Sequence, residues 1–259
     1  MDFNKTIRDS LHHQVYTIGS SETTQEPGYD QSIQHDAIYI WSARYQHLDP
    51  LYTTLSSFIS TNERKRAQSF KRSSDARKYI LRHGLLRFIM GKCTGSEPGQ
   101  LAITEGENGK PSCNPIQTSS DITFSLSSTR EMLCIGATHQ RDIGIDLIKP
   151  DPQYPFREVM GYLFSPQERE IVEENGMPRI MFYRIWALKE ALLKVVGGTV
   201  QMMSDIDVSG VINDSLVHDY YSLSCHDAPY WFFIQECGCG HEHHCAVVVN
   251  LGIKRNAVT

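Results

Sequence analysis

The chain has 259 residues, of which 40% are hydrophobic, and its 25 Lys and Arg are outnumbered by 30 Asp and Glu, for a formal net charge of −5. This size and composition predict a globular protein with one large or two small cores and exclude a fibrous or wholly disordered chain. The net acidity argues against a general nucleic-acid binder. No apolar run approaches the roughly 18 to 20 residues that cross a bilayer.

Two further features bear on the compartment. Residues 1–30 lack the uninterrupted apolar stretch of a secretory signal. Seven cysteines, an odd number, are typical of a reducing environment in which thiols stay free. We therefore expect a cytoplasmic protein that does not associate with membranes.

The first predicted elements follow a polar N-terminal segment. Residues 1–35 are rich in Ser, Thr, Gln, Gly and His and show no sustained period, so we expect a weakly ordered extension. The fold is expected to begin near Asp36 with a buried strand over residues 37–41. The Ser-x-x-Glu spacing of Ser60 and Glu63 predicts the start of a helix, and apolar spacing predicts a second helix over residues 76–92.

Basic residues are concentrated in these helices. Between Arg64 and Lys92 there are ten Lys or Arg and one acid, Asp75. Such a run favours either a local anion-binding surface or an ordinary solvated helix face, and the composition does not choose between them.

The order of elements repeats further along the chain. Residues 143–147 take the place of the first strand, Ser165 and Glu168 repeat the Ser-x-x-Glu spacing 105 residues after Ser60 and Glu63, and residues 188–194 align with residues 81–87. This predicts an α+β protein with two similar halves, residues 36–138 and 139–259, related by a pseudo-twofold axis. A ligand site is expected at the seam between them.

Three charged side chains in the second half, those of Asp146, Glu190 and Lys194, lie in apolar surroundings. Asp146 interrupts an apolar strand, and a cation is expected beside it because an unpaired buried carboxylate is costly. Trp186, Glu190 and Lys194 have helical i, i+4, i+8 spacing and share one face. Periodicity alone leaves open a core salt bridge at Asp146 and an exposed ion pair between Glu190 and Lys194.

Together these segments resemble the paired signature of the Sfp-type 4′-phosphopantetheinyl transferases: Gly-x-Asp at 144–146, then Trp-x-x-Lys-Glu-Ala-x-x-Lys at 186–194. Asn108-Gly109-Lys110-Pro111 resembles that family's Gly-Lys-Pro loop, and Phe124-Ser125-Leu126-Ser127 resembles its Phe-Asn-x-Ser segment. The resemblance covers roughly residues 36–250. It implies a two-lobed α+β monomer that transfers the phosphopantetheine arm of coenzyme A, with Mg²⁺, to a serine of an apo acyl or peptidyl carrier protein. Adenosine 3′,5′-bisphosphate is the implied leaving group.

The resemblance also implies roles for individual residues. Asp146 and Glu190 would bind Mg²⁺, Glu190 would accept the serine proton, and Lys194 would stabilise a phosphate, whereas Trp186 is expected to be a packing residue. The implied coenzyme contacts are Arg66, Arg77, Gly109, Lys110, Pro111, Ser127, Ser128 and Lys194.

Two positions depart from the family. Ile148 stands where a second strand carboxylate is common, and Ser128 replaces a histidine that often contacts the coenzyme phosphates. These departures motivate an alternative, a catalytically weak relative that binds coenzyme A or carrier protein without efficient transfer. A nucleic-acid-binding module built on the basic stretch is a second alternative, but that stretch lacks interleaved stacking aromatics.

One further cluster lies outside the signature. Cys237, Cys239, His241, His243, His244 and Cys245 fall between two apolar runs and predict a hairpin tip. Cys and His are good zinc ligands, but their spacing is tighter than that of a zinc knuckle. A metal site and a solvent-exposed turn both remain open.

Overall fold

The computed structural model describes residues 12–17, 23–24, 37–105, 111–113, 122–213, 219–225, 228–237 and 242–250, with side chains over 37–103, 122–212 and 242–250. None of the helices within these ranges combines the length and the apolar character needed to cross a membrane.

The N-terminal half contains an antiparallel sheet with the strand order β2-β1-β3-β7-β6. Its elements in chain order are β1 (His12–Thr17), β2 (Thr23–Thr24), β3 (Ala37–Arg44), α1 (Tyr45–Leu48), α2 (Tyr52–Phe58), α3 (Thr61–Gln68), α4 (Ser73–Thr94), β4 (Ile103–Glu105), β5 (Pro111–Cys113), β6 (Ile122–Ser128) and β7 (Met132–His139). Strands β4 and β5 pair only with each other among the described residues. Short 3₁₀ turns lie at Asp49–Leu51 and Pro98–Gln100.

The C-terminal half contains a second antiparallel sheet with the order β8-β11-β10-β9. Its elements are β8 (Ile143–Ile148), α5 (Phe156–Leu163), α6 (Pro166–Glu174), α7 (Pro178–Val196), a 3₁₀ turn (Val200–Asp205), α8 (Ser209–Asn213), β9 (Asp219–Cys225), β10 (Ala228–Cys237) and β11 (His244–Asn250). The α+β class is therefore confirmed, and each half contains a short capped helix followed by a long helix.

The two sheets pack face to face between the two long helices. Successive strand residues point to opposite faces, and Tyr39 and Trp41 of β3 share a core with helix α4. Ile38 and Ile40 instead share a core with Ile143 and other residues of β8 and β11. Helix α7 covers the outer face of the second sheet. The seam between the halves is thus a sheet-to-sheet contact, next to which β6 and β8 lie side by side.

Both predicted capping boxes are present. Ser60 Oγ accepts the Glu63 N–H at 3.2 Å and Glu63 Oε2 accepts the Ser60 N–H at 2.7 Å. Ser165 and Glu168 make the same pair of bonds at 3.2 and 2.8 Å. Helices α3 and α6 therefore begin at the predicted positions, and the predicted repeat of elements appears in the structure.

Gly144 sets the distance between β8 and α7. A Cβ atom at this position would collide with the backbone oxygen of Ala191 in α7. The absence of a side chain therefore lets the helix lie directly on the strand. Gly197, with φ of 72°, then ends α7 in the left-handed conformation that glycine adopts at little cost.

Two sequence predictions differ from the structure in extent. Helix α4 begins at Ser73 after Arg72, which provides no side-chain cap, and runs to Thr94 rather than over 76–92. The segment predicted as a weakly ordered extension includes β1, which pairs with β3 from His12↔Ser42 to Thr17↔Ala37. Its mostly polar sequence carries no apolar period, so the pattern of the sequence did not indicate a strand. The predicted boundaries at 36 and 139 stay predictions.

Candidate active site at the seam of the two halves

Asp146 is the buried acidic residue at the centre of the site. It lies on β8 and is 8% exposed. Its Oδ1 accepts hydrogen bonds from Lys194 Nζ at 2.7 Å and from Ser127 Oγ at 2.9 Å. The sequence predicts a cation beside this carboxylate, and the structure shows that this cation is Lys194 of α7.

Lys194 and Ser125 also bind the backbone of β8, which is an edge strand of its sheet. Lys194 Nζ donates to the Ile145 carbonyl at 2.8 Å, and Ser125 Oγ accepts the Ile145 N–H at 3.1 Å. Buried backbone groups require such partners. The edge of β8 is thus held by one side chain from each half, which fixes Asp146 at the seam.

Glu190 lies one helical turn before Lys194 on α7 and is half-buried. Burial raises the pKa of its carboxyl group, the negative charge of Asp146 raises it further, and the charge of Lys194 opposes both. Within the part of the chain that the structure describes, Glu190 makes no hydrogen bond or ion pair. Its carboxylate is therefore available to a ligand.

The two carboxylates fit a divalent cation. Like charges on Asp146 and Glu190 disfavour the ionised form of Glu190, and a cation between such groups removes that penalty. Carboxylate oxygens are the ligands that Mg²⁺ prefers, and Mg²⁺ commonly keeps several waters, so a third carboxylate is not required. Ile148, on the same side of β8, is partly buried against the core of the C-terminal half.

A second acidic group contains neither of these carboxylates. Glu131, Glu242 and His243 present one potential ligand atom each within 4.8 Å of one another. Lys149 Nζ lies 2.5 Å from Glu131 Oε1 and 3.5 Å from Glu242 Oε2. The ammonium group of Lys149 therefore already forms ion pairs with both carboxylates. Of the cluster predicted at the hairpin tip, Cys239 and His241 lie outside the described residues, while the hairpin of β10 and β11 is confirmed.

Two cavities in the N-terminal half carry basic residues. One, of about 500 Å³, contains Arg66, Glu63, His83 and Arg87 in its lining. The other, of about 400 Å³, is lined by Lys78, Arg82, Arg130 and Ser128, with Asp75 as its acid. Tyr79 lines both cavities, which places them next to each other.

Lys78, Arg82 and Arg130 were not identified from the sequence. Arg82 Nη1 donates to Ser128 Oγ at 3.1 Å, so the serine that replaces the family's histidine contacts a guanidinium. The i, i+4 spacing of Lys78 and Arg82 on a predicted helix was a signal that could have selected them from the basic stretch.

The structure brings together some of the predicted coenzyme contacts and not others. Arg66 and Ser128 line the two cavities, whereas Ser127 faces Asp146. Arg77 lies outside both cavity linings, with its Nε 2.6 Å from Asp49 Oδ1 and its guanidinium over the Tyr52 ring. Gly109 and Lys110 lie outside the described residues, as does the side chain of Pro111, which begins β5.

Trp186 packs among aromatic residues of the C-terminal core. Its ring lies 6.2 Å from that of Tyr154 and 5.4 Å from that of Phe182. This position agrees with the packing role predicted for it.

Comparison with known proteins identifies the family that part of the chain resembles. A family model described as the 4′-phosphopantetheinyl transferase superfamily matches residues 142–248, the segment from the start of β8 into β11. Over these residues the chain is similar to the 4′-phosphopantetheinyl transferase superfamily. The resemblance inferred from the paired signature is confirmed.

Two relatives extend this match. The 4′-phosphopantetheinyl transferase HetI of Nostoc sp. is 27% identical over 176 residues, which cover 67% of this chain and 74% of HetI. The 4′-phosphopantetheinyl transferase Sfp of Bacillus subtilis is 28% identical over 152 residues, which cover 58% of this chain and 65% of Sfp. The crystal structure of Thermotoga maritima holo-[acyl-carrier-protein] synthase matches at 18% identity with a TM-score of 0.27, over 44% of this chain and 64% of that chain. That similarity is too low to support a conclusion about the fold.

Proposed function

We propose that this chain transfers the 4′-phosphopantetheine arm of coenzyme A to a serine of an apo acyl or peptidyl carrier protein and releases adenosine 3′,5′-bisphosphate. The observation that carries the proposal is the group formed by Asp146, Glu190 and Lys194 at the seam. The relatives HetI and Sfp are named 4′-phosphopantetheinyl transferases, which supports the same activity here.

Asp146 and Glu190 are the residues that would hold Mg²⁺, together with waters and the coenzyme pyrophosphate. When bound there, Mg²⁺ supplies charge neutralisation at the pyrophosphate oxygens. Lys194, already 2.7 Å from Asp146, contributes a second positive charge on the same side. It would stabilise the negative charge that develops on the phosphates during transfer.

Glu190 is the residue proposed to accept the proton of the carrier serine. A general base works best when its pKa lies near the operating pH. In the cation-free protein, burial and the Asp146 charge shift the pKa of Glu190 upward, in that direction. Because Glu190 has no hydrogen-bond partner among the described residues, its oxygens can receive the proton directly or through a water.

The two neighbouring cavities would accommodate the nucleotide portion of coenzyme A. Arg66 would contact the 3′-phosphate, and Lys78, Arg82 and Arg130 around Ser128 would neutralise the pyrophosphate. Lys110 of the Gly-Lys-Pro segment is proposed to complete the nucleotide contacts. The presence of three cations around Ser128 favours an active transferase over the catalytically weak alternative.

The partners follow from this chemistry. We propose that the protein acts as a cytoplasmic monomer on a carrier protein, without nucleic acid or membrane as a partner. The test is incubation with an apo carrier protein, coenzyme A and Mg²⁺, followed by mass spectrometry of the carrier. A mass increase equal to one phosphopantetheine arm, dependent on coenzyme A and abolished by a chelator, is the expected result. An unchanged carrier mass across acyl and peptidyl carriers would contradict the proposal.

A further inference from the structure

The two oxygens of the Asp146 carboxylate have different surroundings. Oδ1 accepts two hydrogen bonds, from Ser127 Oγ at 2.9 Å and from Lys194 Nζ at 2.7 Å. Oδ2 accepts none from the residues that the structure describes. An ionised carboxylate has acceptor capacity on both oxygens. Oδ2 is therefore the oxygen left for a cation.

Ser127 contacts β8, and its neighbour Ser128 contacts the basic cavity. Adjacent residues of a strand point to opposite faces, and Ser128 lines the cavity with Arg82 whereas Ser127 does not. Ser127 is 8% exposed and donates to a side chain from the other half of the protein. Ser125, on the same face of β6, binds the Ile145 backbone. The hydroxyls of Ser125 and Ser127 thus hold β8 at two successive positions.

We propose that Ser127 is a positioning residue for the cation site: its hydroxyl holds Asp146 through Oδ1 and thereby presents Oδ2 to the divalent cation. This replaces the coenzyme contact expected from the sequence. Hydrogen bonds to a ligating carboxylate fix its orientation, and loss of such a partner typically weakens metal binding or activity by 10–100-fold. The proposal deepens the proposed function and rests on it for the assignment of Asp146 as a cation ligand.

The test measures cation binding without catalysis. Mn²⁺ serves as the probe, and its free concentration is followed by electron paramagnetic resonance in the absence and in the presence of coenzyme A, with no carrier protein added. The variants are Ser127→Ala, Ser127→Thr, which keeps a hydroxyl, and Ser128→Ala as the matched control on the other face of β6. Melting temperatures establish that each variant is folded.

Ser127→Ala is expected to weaken Mn²⁺ binding about tenfold or more, with Ser127→Thr restoring most of the loss. Its affinity for coenzyme A without a cation, measured by calorimetry, should stay at the parent value. Ser128→Ala should show the reverse, with weaker coenzyme binding and, in the absence of coenzyme A, unchanged Mn²⁺ binding.

Two results would overturn the proposal. One is parent-like Mn²⁺ binding by Ser127→Ala; if coenzyme binding is weakened as well, Ser127 is a coenzyme contact. The other is no Mn²⁺ binding by the parent protein under either condition. Failure of the proposed function can be distinguished from failure of this proposal. A protein that binds Mn²⁺ through Ser127 and Asp146 but modifies no carrier would refute the transfer activity alone.

Discussion

The carboxylate of Glu168 lies 2.5 Å from the ammonium of Lys189, and neither side chain has exposed surface. Lys189 Nζ also donates to the carbonyls of Leu163 and Met203 at 3.0 and 2.9 Å. Glu168 accepts the Val208 N–H at 2.8 Å in addition to its capping-box bond. Lys189 therefore ties α7 to three neighbouring segments, while the adjacent Glu190 faces the active site.

Replacing Lys189 with Met should destabilise the protein by about 3 to 5 kcal/mol, because Glu168 would remain as a buried carboxylate without its cation. Urea unfolding measures this loss. Lys65→Met, at an exposed position of α3, is the matched control and should change stability little. Adding Glu168→Gln to Lys189→Met should recover part of the lost stability. If the double variant is no more stable than Lys189→Met alone, the unpaired carboxylate of Glu168 is not the cause of the loss.

Glu63 should stabilise the fold in a pH-dependent way. Burial opposes its ionisation, but hydrogen bonds from His83, the Ser60 N–H and Arg87 outweigh burial and lower the pKa from 4.5 to about 2. The stabilisation is therefore complete above pH 4.5 and is lost as the pH falls toward 2.

Glu63→Gln should accordingly lower stability at neutral pH by about 3 kcal/mol and flatten its decline in acid. Denaturant unfolding at a series of pH values measures both effects. The control is Glu170→Gln, at an exposed position, which should keep the parent profile. If the stability of Glu63→Gln declines in acid as steeply as that of the parent, a group other than Glu63 causes the decline.

Glu190 should titrate above its ordinary pKa in the cation-free protein. Burial is the larger cause and the Asp146 charge the smaller one, so Asp146→Asn should lower the pKa without restoring it fully. Carbon-13 NMR of labelled glutamate, assigned with Glu190→Gln, follows the titration.

The raised pKa of Glu190 also determines how strongly Mg²⁺ stabilises the protein at a given pH. A raised folded pKa means that the contribution of Glu190 to stability falls as the pH rises from 4.5 through that pKa. Mg²⁺ should therefore raise the melting temperature more at pH 7.5 than at about pH 5. An equal increase at both values would place the ion elsewhere.

Ile148 offers a test of the cation geometry. It follows Asp146 by two residues, so both side chains lie on the same side of β8. Ile148→Glu should leave the protein folded and lower the Mg²⁺ concentration that gives half-maximal activity, because a charged ligand replaces a water. Ile148→Gln is the control for lost packing. The contrary result is a variant that is destabilised, that Mg²⁺ does not restabilise and that needs the same Mg²⁺ concentration as the parent. It would show that residue 148 does not contact the ion.

The sequence predicted the features that depend on local chemistry. The capping boxes at Ser60 and Ser165, the start of β8 and the glycine end of α7 each depend on residues within a few positions of one another. The resemblance supplied the grouping of Asp146 with Glu190 and Lys194, and the structure places Lys194 against Asp146.

Contacts across the seam could not be predicted in this way. The bond from Ser127 to Asp146 joins different sheets, and nothing in the serine-rich sequence of β6 distinguishes the face of Ser127 from that of Ser128. The ion pair of Arg77 with Asp49 joins α4 to a 3₁₀ turn 28 residues earlier, a contact that neither the family resemblance nor the charge of Arg77 could indicate. Tertiary packing decides which members of a basic run face a cavity.

The most direct test of the account compares the initial rates at which the parent protein and Glu190→Gln convert an apo carrier protein to its holo form, followed by mass spectrometry at saturating coenzyme A and Mg²⁺. Glu190→Gln removes a proposed cation ligand and the proposed base together, with little change in side-chain volume. The account predicts a folded variant whose rate is lower by about a hundredfold or more, near 2.7 kcal/mol. A rate close to that of the parent would show that the chemistry takes place elsewhere.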